Sequence, residues 1–160
     1  MKVFVMRHGD AHLSAGSDMQ RPLSPIGESE AAHATAWLRE FYFAEHPNID
    51  YAMVSPYLRT KQTLAKITEQ FTVTRTEYTR DIIPSASAAI AHDYMNTVLS
   101  LHPEINSVLL VAHMPFVSYF VESLTQLTPP LFATASIAVI EYDKSLSEGY
   151  ILEHKQVYFT

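Results

Sequence analysis

The chain has 160 residues, 48% of them apolar and 18% charged, a size and balance that suit one globular domain spanning residues 1–160. Its 17 acidic residues against 11 basic ones leave a net charge of −6, the wrong sign for a general nucleic-acid or acidic-membrane binder. With no cysteine, a disulfide scaffold, a thiolate-ligated metal and a thiol nucleophile are excluded.

Val3–Met6 is a short apolar run rich in β-formers, and it reaches Arg7 before a signal-peptide apolar region could form, so a cytoplasmic location is expected. A polar stretch runs from Arg7 to Leu23. Ser24-Pro25 is an N-cap followed by proline at the first helical position. Ala34, Trp37, Leu38, Phe41 and Tyr42 then fall on one helical face, and Pro47-Asn48 ends the segment. Tyr51–Val54 reads as the second strand. Ser55-Pro56 repeats the cap-and-proline pattern and opens a helix burying Tyr57, Leu64, Ile67 and Phe71. Thr72–Thr76 alternates as a third strand, and Ile82–Ser85 is a loop. The third helix places Ile90, Tyr94, Val98 and Leu101 together. Val108–Val111 is continuously apolar, as befits a central strand buried on both faces. A fourth helix carries Val117, Phe120, Val121 and Leu124, and two closing strands follow, Ile137–Tyr142 and Tyr150–Val157. The alternation predicts an α/β three-layer sandwich around a mostly parallel sheet.

In such sheets ligands bind beyond the carboxyl ends of the strands. Three of those ends carry reactive residues: Arg7-His8-Gly9 after the first strand, Arg59 on the first turn after the second, and His113 after the central one. Read singly, each has an ordinary explanation, as a surface charge, a solvated helix residue or a satisfied core histidine. Two His and two Arg converging on one rim are worth more than any one motif. Guanidinium groups offer paired donors to phosphate oxygens. Nearby positive charge keeps imidazole neutral and therefore nucleophilic, and phosphoryl transfer needs chiefly positioning and charge stabilisation. Gly9 would let the backbone approach the ligand closely, and helices opening at Pro56 and Pro115 would aim their N-termini at the same anion. No metal or other cofactor is required. Two metal-like patterns fit less well. His8 and His12 are four apart on a segment leaving a strand rather than on a helix, and His92-Asp93 reads as the polar face of the third helix.

Arg7-His8-Gly9, Arg59 and His113, in this order and at these strand ends, resemble the histidine phosphatase superfamily, whose fold is phosphoglycerate-mutase-like. The runs Ser17–Leu23, Ser55–Arg59 and Thr128–Phe132 are similar to those of its SixA-type phosphohistidine phosphatases, and the likeness extends from Met1 to about Tyr142. The resemblance implies a minimal fold without a cap domain. It makes His8 the nucleophile, passing through phosphohistidine, with Arg7, Arg59 and His113 binding the transferred phosphoryl group and Arg21 extending the cationic rim. The general acid is left open between Asp81 and Asp18. Ala112 stands before the second histidine where much of the superfamily has glycine. The implied partner is a phosphorylated histidine-containing phosphotransfer protein, met by a monomer. Two alternatives remain: a small-molecule phosphomonoesterase or mutase of the same superfamily, and a phosphohistidine-binding module with little turnover. The short chain has few walls with which to enclose a metabolite, which favours a protein substrate.

Overall fold

A computed structural model of the protein describes residues 1–156. Six strands form one sheet in the order β3-β2-β4-β1-β5-β6, with β1 Lys2–Arg7, β2 Asn48–Val54, β3 Thr72–Tyr78, β4 Ser107–Ala112, β5 Ile137–Asp143 and β6 Glu148–Lys155. β3, β2, β4 and β1 run parallel, β5 is antiparallel to β1, and β6 is antiparallel to β5. The sheet is mostly parallel, as expected. The end expected for the last strand, Val157, lies outside the described residues.

Alternate residues of the central strands face opposite layers. Val3, Val5, Val108 and Leu110 pack with the helices α3 (Ala88–Leu101) and α4 (Phe116–Thr125), whereas Phe4, Met6, Leu109 and Val111 pack with α1 (Pro25–Tyr42) and α2 (Leu58–Thr68). Each of these strand residues is at most 1% exposed, so truncating one, as in Leu110→Ala, would cost about 2–5 kcal/mol.

Two helix faces are shifted in part from their expected positions, with Ala34, Leu38 and Val98 buried as expected and Trp37, Tyr42 and Tyr94 packed against the core. In α3 the buried residues are Ala91, Met95, Val98 and Leu99, while Ile90 and Leu101 are exposed. In α1 the contact is made by Gly27, Ala31, Ala34, Thr35 and Leu38, and Phe41 is exposed. Small residues let a helix lie close to the sheet, so the contact face is not the most hydrophobic one. The faces expected for α4 and for Leu64, Ile67 and Phe71 are buried.

Ser24 caps α1 as expected: its side chain accepts from the Gly27 amide, with Pro25 at the start. Ser55-Pro56 behaves differently. The second helix begins at Leu58 with Tyr57 as its N-cap, and the Ser55 hydroxyl lies against His113. Pro115 likewise precedes α4 as its N-cap residue, after a cis Met114–Pro115 bond.

β1 and β4 are neighbours, yet their following helices cover opposite faces of the sheet. Their carboxyl ends therefore flank a crevice at the topological switch point, the expected location of a ligand.

Candidate active site

Arg7 ends β1 opposite Ala112 of β4, so His8 and His113 leave adjacent strands side by side. The His8 amide donates to the Ala112 carbonyl at 3.0 Å, and the His8 carbonyl accepts from Ala135 at 2.9 Å. The two imidazole rings lie edge to face with centroids 5.3 Å apart. Both are nearly sealed, with His8 6% and His113 1% exposed.

His8 Nδ1 lies 2.6 Å from the Gly9 carbonyl oxygen, an acceptor only, so Nδ1 carries the hydrogen. Nε2 is thereby left with its lone pair, which accepts from Arg59 Nε at 3.2 Å. Burial pushes the His8 pKa down to about 3, against the raising effect of the Gly9 carbonyl, with Arg59, Arg7 and Arg21 lowering it further. Burial also pushes His113 down to about 2, aided by His8, Arg59 and Arg7. Positive charge was the reason expected for neutral imidazoles; burial is the larger one.

Arg59 sits in the first turn of α2, 4% exposed, with its guanidinium 5.0 Å from the centre of the Tyr57 ring. Its terminal nitrogens hold the 3-10 turn Asp18–Gln20 that follows the polar stretch. Nη1 donates to the Asp18 carbonyl at 2.7 Å and Nη2 meets the carboxylate at 3.3 Å. Arg21 binds the same carboxylate at 2.9 Å and the His12 carbonyl at 2.6 Å. The Arg21 hydrogen bond, and then Arg59, hold the Asp18 carboxyl below the usual carboxylate range. The Asp18 carboxylate is thus engaged by two guanidinium groups, those of Arg21 and Arg59. Asp81 lies in the turn Arg80–Ile82 beyond β3, two strands away from β4, and its charge acts on Tyr94.

Arg7 Nη1 donates to the Phe132 carbonyl at 2.8 Å, tying the site to the segment before β5. Among the described residues, two buried side-chain polar atoms have no partner, Arg7 Nε and His113 Nδ1. Unpaired buried polar atoms are rare and costly. Both belong to this rim.

The structure gives Gly9 a different reason from the one expected. A Cβ at Gly9 would stand 2.4 Å from the Gly27 carbonyl oxygen of α1, and one at Gly27 would stand 1.9 Å from the Asp10 oxygen. The two glycines allow α1 to lie against the turn that carries His8. The Gly9 amide is taken by the Thr63 hydroxyl at 3.1 Å, so it is not free for a ligand. Ala112 packs into the α3–α4 core, which accounts for a methyl group being tolerated there.

Three supporting residues escaped the sequence reading. Glu30, on α1 and 7% exposed, accepts from the Asp10 amide and, with both oxygens, from Thr134. It thus joins the β1 exit to the segment before β5 and lies near enough to Arg7 to act on its charge. Thr63 holds Gly9, and Ser55 lies 2.7 Å from His113 Nε2. The serine could have been found as a residue at a parallel strand's end; Glu30 reads as an ordinary helix-surface acid.

His92 is bound between Ser123 and Tyr142, remote in sequence from the rim, and among the described residues no cluster of three or more His, Asp or Glu could hold a metal ion. No helix among them is long and apolar enough to cross a membrane.

Comparison with known proteins gives a consistent result. Residues 3–82 match the model of the histidine phosphatase superfamily (branch 1). The chain is 34% identical over 147 residues to the phosphohistidine phosphatase SixA of Escherichia coli, covering 91% of this chain and 88% of that one. It is 32% identical over 160 residues to the SixA homolog of Haemophilus influenzae, covering 97% and 95%. A solved structure of the protein histidine phosphatase SixA complexed with tungstate superimposes with a TM-score of 0.88 at 32% identity, covering 98% of this chain and 97% of that one.

Proposed function

The chain belongs to the histidine phosphatase superfamily, and from that premise we propose that it is a protein phosphohistidine phosphatase acting through a phospho-His8 intermediate. One observation carries the proposal. A buried neutral imidazole presents the Nε2 lone pair to Arg59, beside two buried nitrogens, Arg7 Nε and His113 Nδ1, without protein partners. An electron pair set among unmet donors suits an electrophile wrapped in anionic oxygens, which is a phosphoryl group.

In this reading Arg7, Arg59 and His113 hold the phosphoryl oxygens of a partner's phosphohistidine. His8 Nε2 attacks phosphorus in line, the P–N bond to the partner's ring breaks, and its electron pair returns to that ring, which leaves as neutral imidazole with a hydrogen on its other nitrogen. Water then attacks phospho-His8, phosphate departs, and the Nε2 lone pair is restored. Exchanging one imidazole for another is nearly balanced in energy, so the first step asks far less of a general acid than expulsion of an alkoxide would. Asp18 steadies Arg59 and Arg21, and Asp81 and Asp18 remain the two candidates to deliver a proton.

A protein substrate is supported by the rim. Leu13, Met19, Leu58 and Leu131 are exposed, and each lies at or beside a segment that the site uses. The resulting enzyme is a monomeric, single-domain, cytoplasmic phosphatase whose partner is a histidine-containing phosphotransfer protein. The test compares turnover of a phosphorylated phosphotransfer domain with that of sugar phosphates and phosphoglycerate. Preference for the phosphoprotein by at least tenfold in kcat/KM is expected. Preference for a small phosphomonoester would reject the reading, and phosphate release stopping at one equivalent per protein would make it a binding module.

A further inference from the structure

The Ser55 hydroxyl is fully buried at the end of β2, where a cap for α2 was expected, and its oxygen lies 2.7 Å from His113 Nε2. A hydroxyl has one proton and two lone pairs. One lone pair faces the Tyr57 amide, which donates across 3.4 Å. Among the described residues, the acceptor within hydrogen-bond distance of the proton is His113 Nε2. The reverse arrangement, with Nε2–H donating to Ser55, would leave the proton of this fully buried serine without an acceptor. It would also turn the Nδ1 lone pair toward whatever meets that nitrogen. Phosphoryl oxygens carry lone pairs of their own, and the contact would be repulsive.

We propose that Ser55 is a positioning residue: it donates its proton to His113 Nε2 and so fixes the tautomer in which Nδ1–H donates to the transferring phosphoryl group. The inference rests on the phosphoryl-transfer reading above and adds to it the residue that makes His113 a donor. It explains why His113 Nδ1 is buried without a partner. The burial that lowers the His113 pKa keeps the ring neutral, and a neutral ring needs a tautomer-setting partner where an imidazolium would not. Ser55 touches no phosphoryl atom in this scheme and acts through His113 alone.

The test is the ring-nitrogen spectrum of histidine-labelled protein by long-range proton–nitrogen correlation, with and without inorganic phosphate. In the wild-type protein His113 is expected to show a protonated Nδ1 and a bare Nε2, with the Nδ1 proton shifting on phosphate binding. Ser55→Ala should lose that bias and lower kcat on a phosphohistidine protein by about tenfold. In a His113→Ala background the same change should cost less than twofold, which a merely structural role would not reproduce. A wild-type spectrum with the hydrogen on Nε2 overturns the proposal, even where Ser55→Ala fails to fold. So does an equal kinetic cost in both backgrounds. If the wild-type protein turns over no phosphohistidine substrate, the functional reading fails, while the nitrogen spectrum still decides whether Ser55 sets the tautomer.

Discussion

The exits of β1 and β4 carry the same side chain, at the same height of the sheet, in nearly the same burial, and hold it by opposite ends. His8 is anchored at Nδ1 by the carbonyl of its own neighbour, Gly9, which leaves Nε2 as an electron-pair donor. His113 is anchored at Nε2 by Ser55 from an adjacent strand, which leaves Nδ1 as a hydrogen donor. Two neutral rings in one tautomer thus present opposite groups, a lone pair and an N–H, to the same crevice. What differs is the anchor: a backbone oxygen can only accept, and a hydroxyl can give. The division depends on neither ring being charged, and burial secures that for both.

The comparison breaks most sharply at His8. His8→Ala should reduce turnover of a phosphohistidine protein by about 10³-fold or more, because it removes the Nε2 lone pair proposed to take the phosphoryl group. Arg59→Ala removes the cation bound to His8 Nε2 and should cost about 10²–10³-fold in kcat, measured under saturating substrate.

The shared neutrality predicts a pH dependence of stability. Both histidines titrate near 6.5 when unfolded, and at about 3 (His8) and about 2 (His113) when folded. Below about pH 6.5 the unfolded chain therefore takes up protons that the folded one does not. Stability is whole above that value and falls as the pH drops toward 3, by about 2 kcal/mol per histidine at pH 5. Urea midpoints at pH 7 and pH 5 would record this, and His113→Gln should remove the His113 share of the drop between them, about 2 kcal/mol.

The two exits also differ in what they tolerate at the adjoining backbone. Gly9→Ala drives a methyl group into the Gly27 carbonyl and should destabilise the protein by about 1–3 kcal/mol, read from thermal or urea unfolding. The smallest effect is expected for Asp81→Asn, less than tenfold on a phosphohistidine substrate, where the leaving imidazole demands little protonation.

The sequence made the strand exits legible because buried parallel strands are continuous apolar runs, and the residue that ends such a run stands out. Arg7, His8, Arg59 and His113 were found in that way, and the structure brings His8, Arg59 and His113 together with Arg7 adjoining them. Glu30 was hidden because its partners, the Asp10 amide and Thr134, lie 20 and 104 residues away. Ser55 was masked by a local pattern that has a commoner meaning, a helix cap. The α1 and α3 faces were shifted in part for a related reason: hydrophobicity points to Phe41 and Ile90, whereas close approach to the sheet selects Gly27, Ala31 and Ala91.

Transfer of the phosphoryl group to His8 Nε2 is the step on which the proposed function rests. It is tested most directly by rapid quench of the wild-type enzyme with a radiolabelled phosphohistidine protein, followed by acid and alkali treatment of the labelled enzyme. A transient label that is acid-labile and alkali-stable, maps to His8 and is absent from His8→Ala is expected. An acid-stable label, or undiminished turnover in His8→Ala, would contradict that transfer.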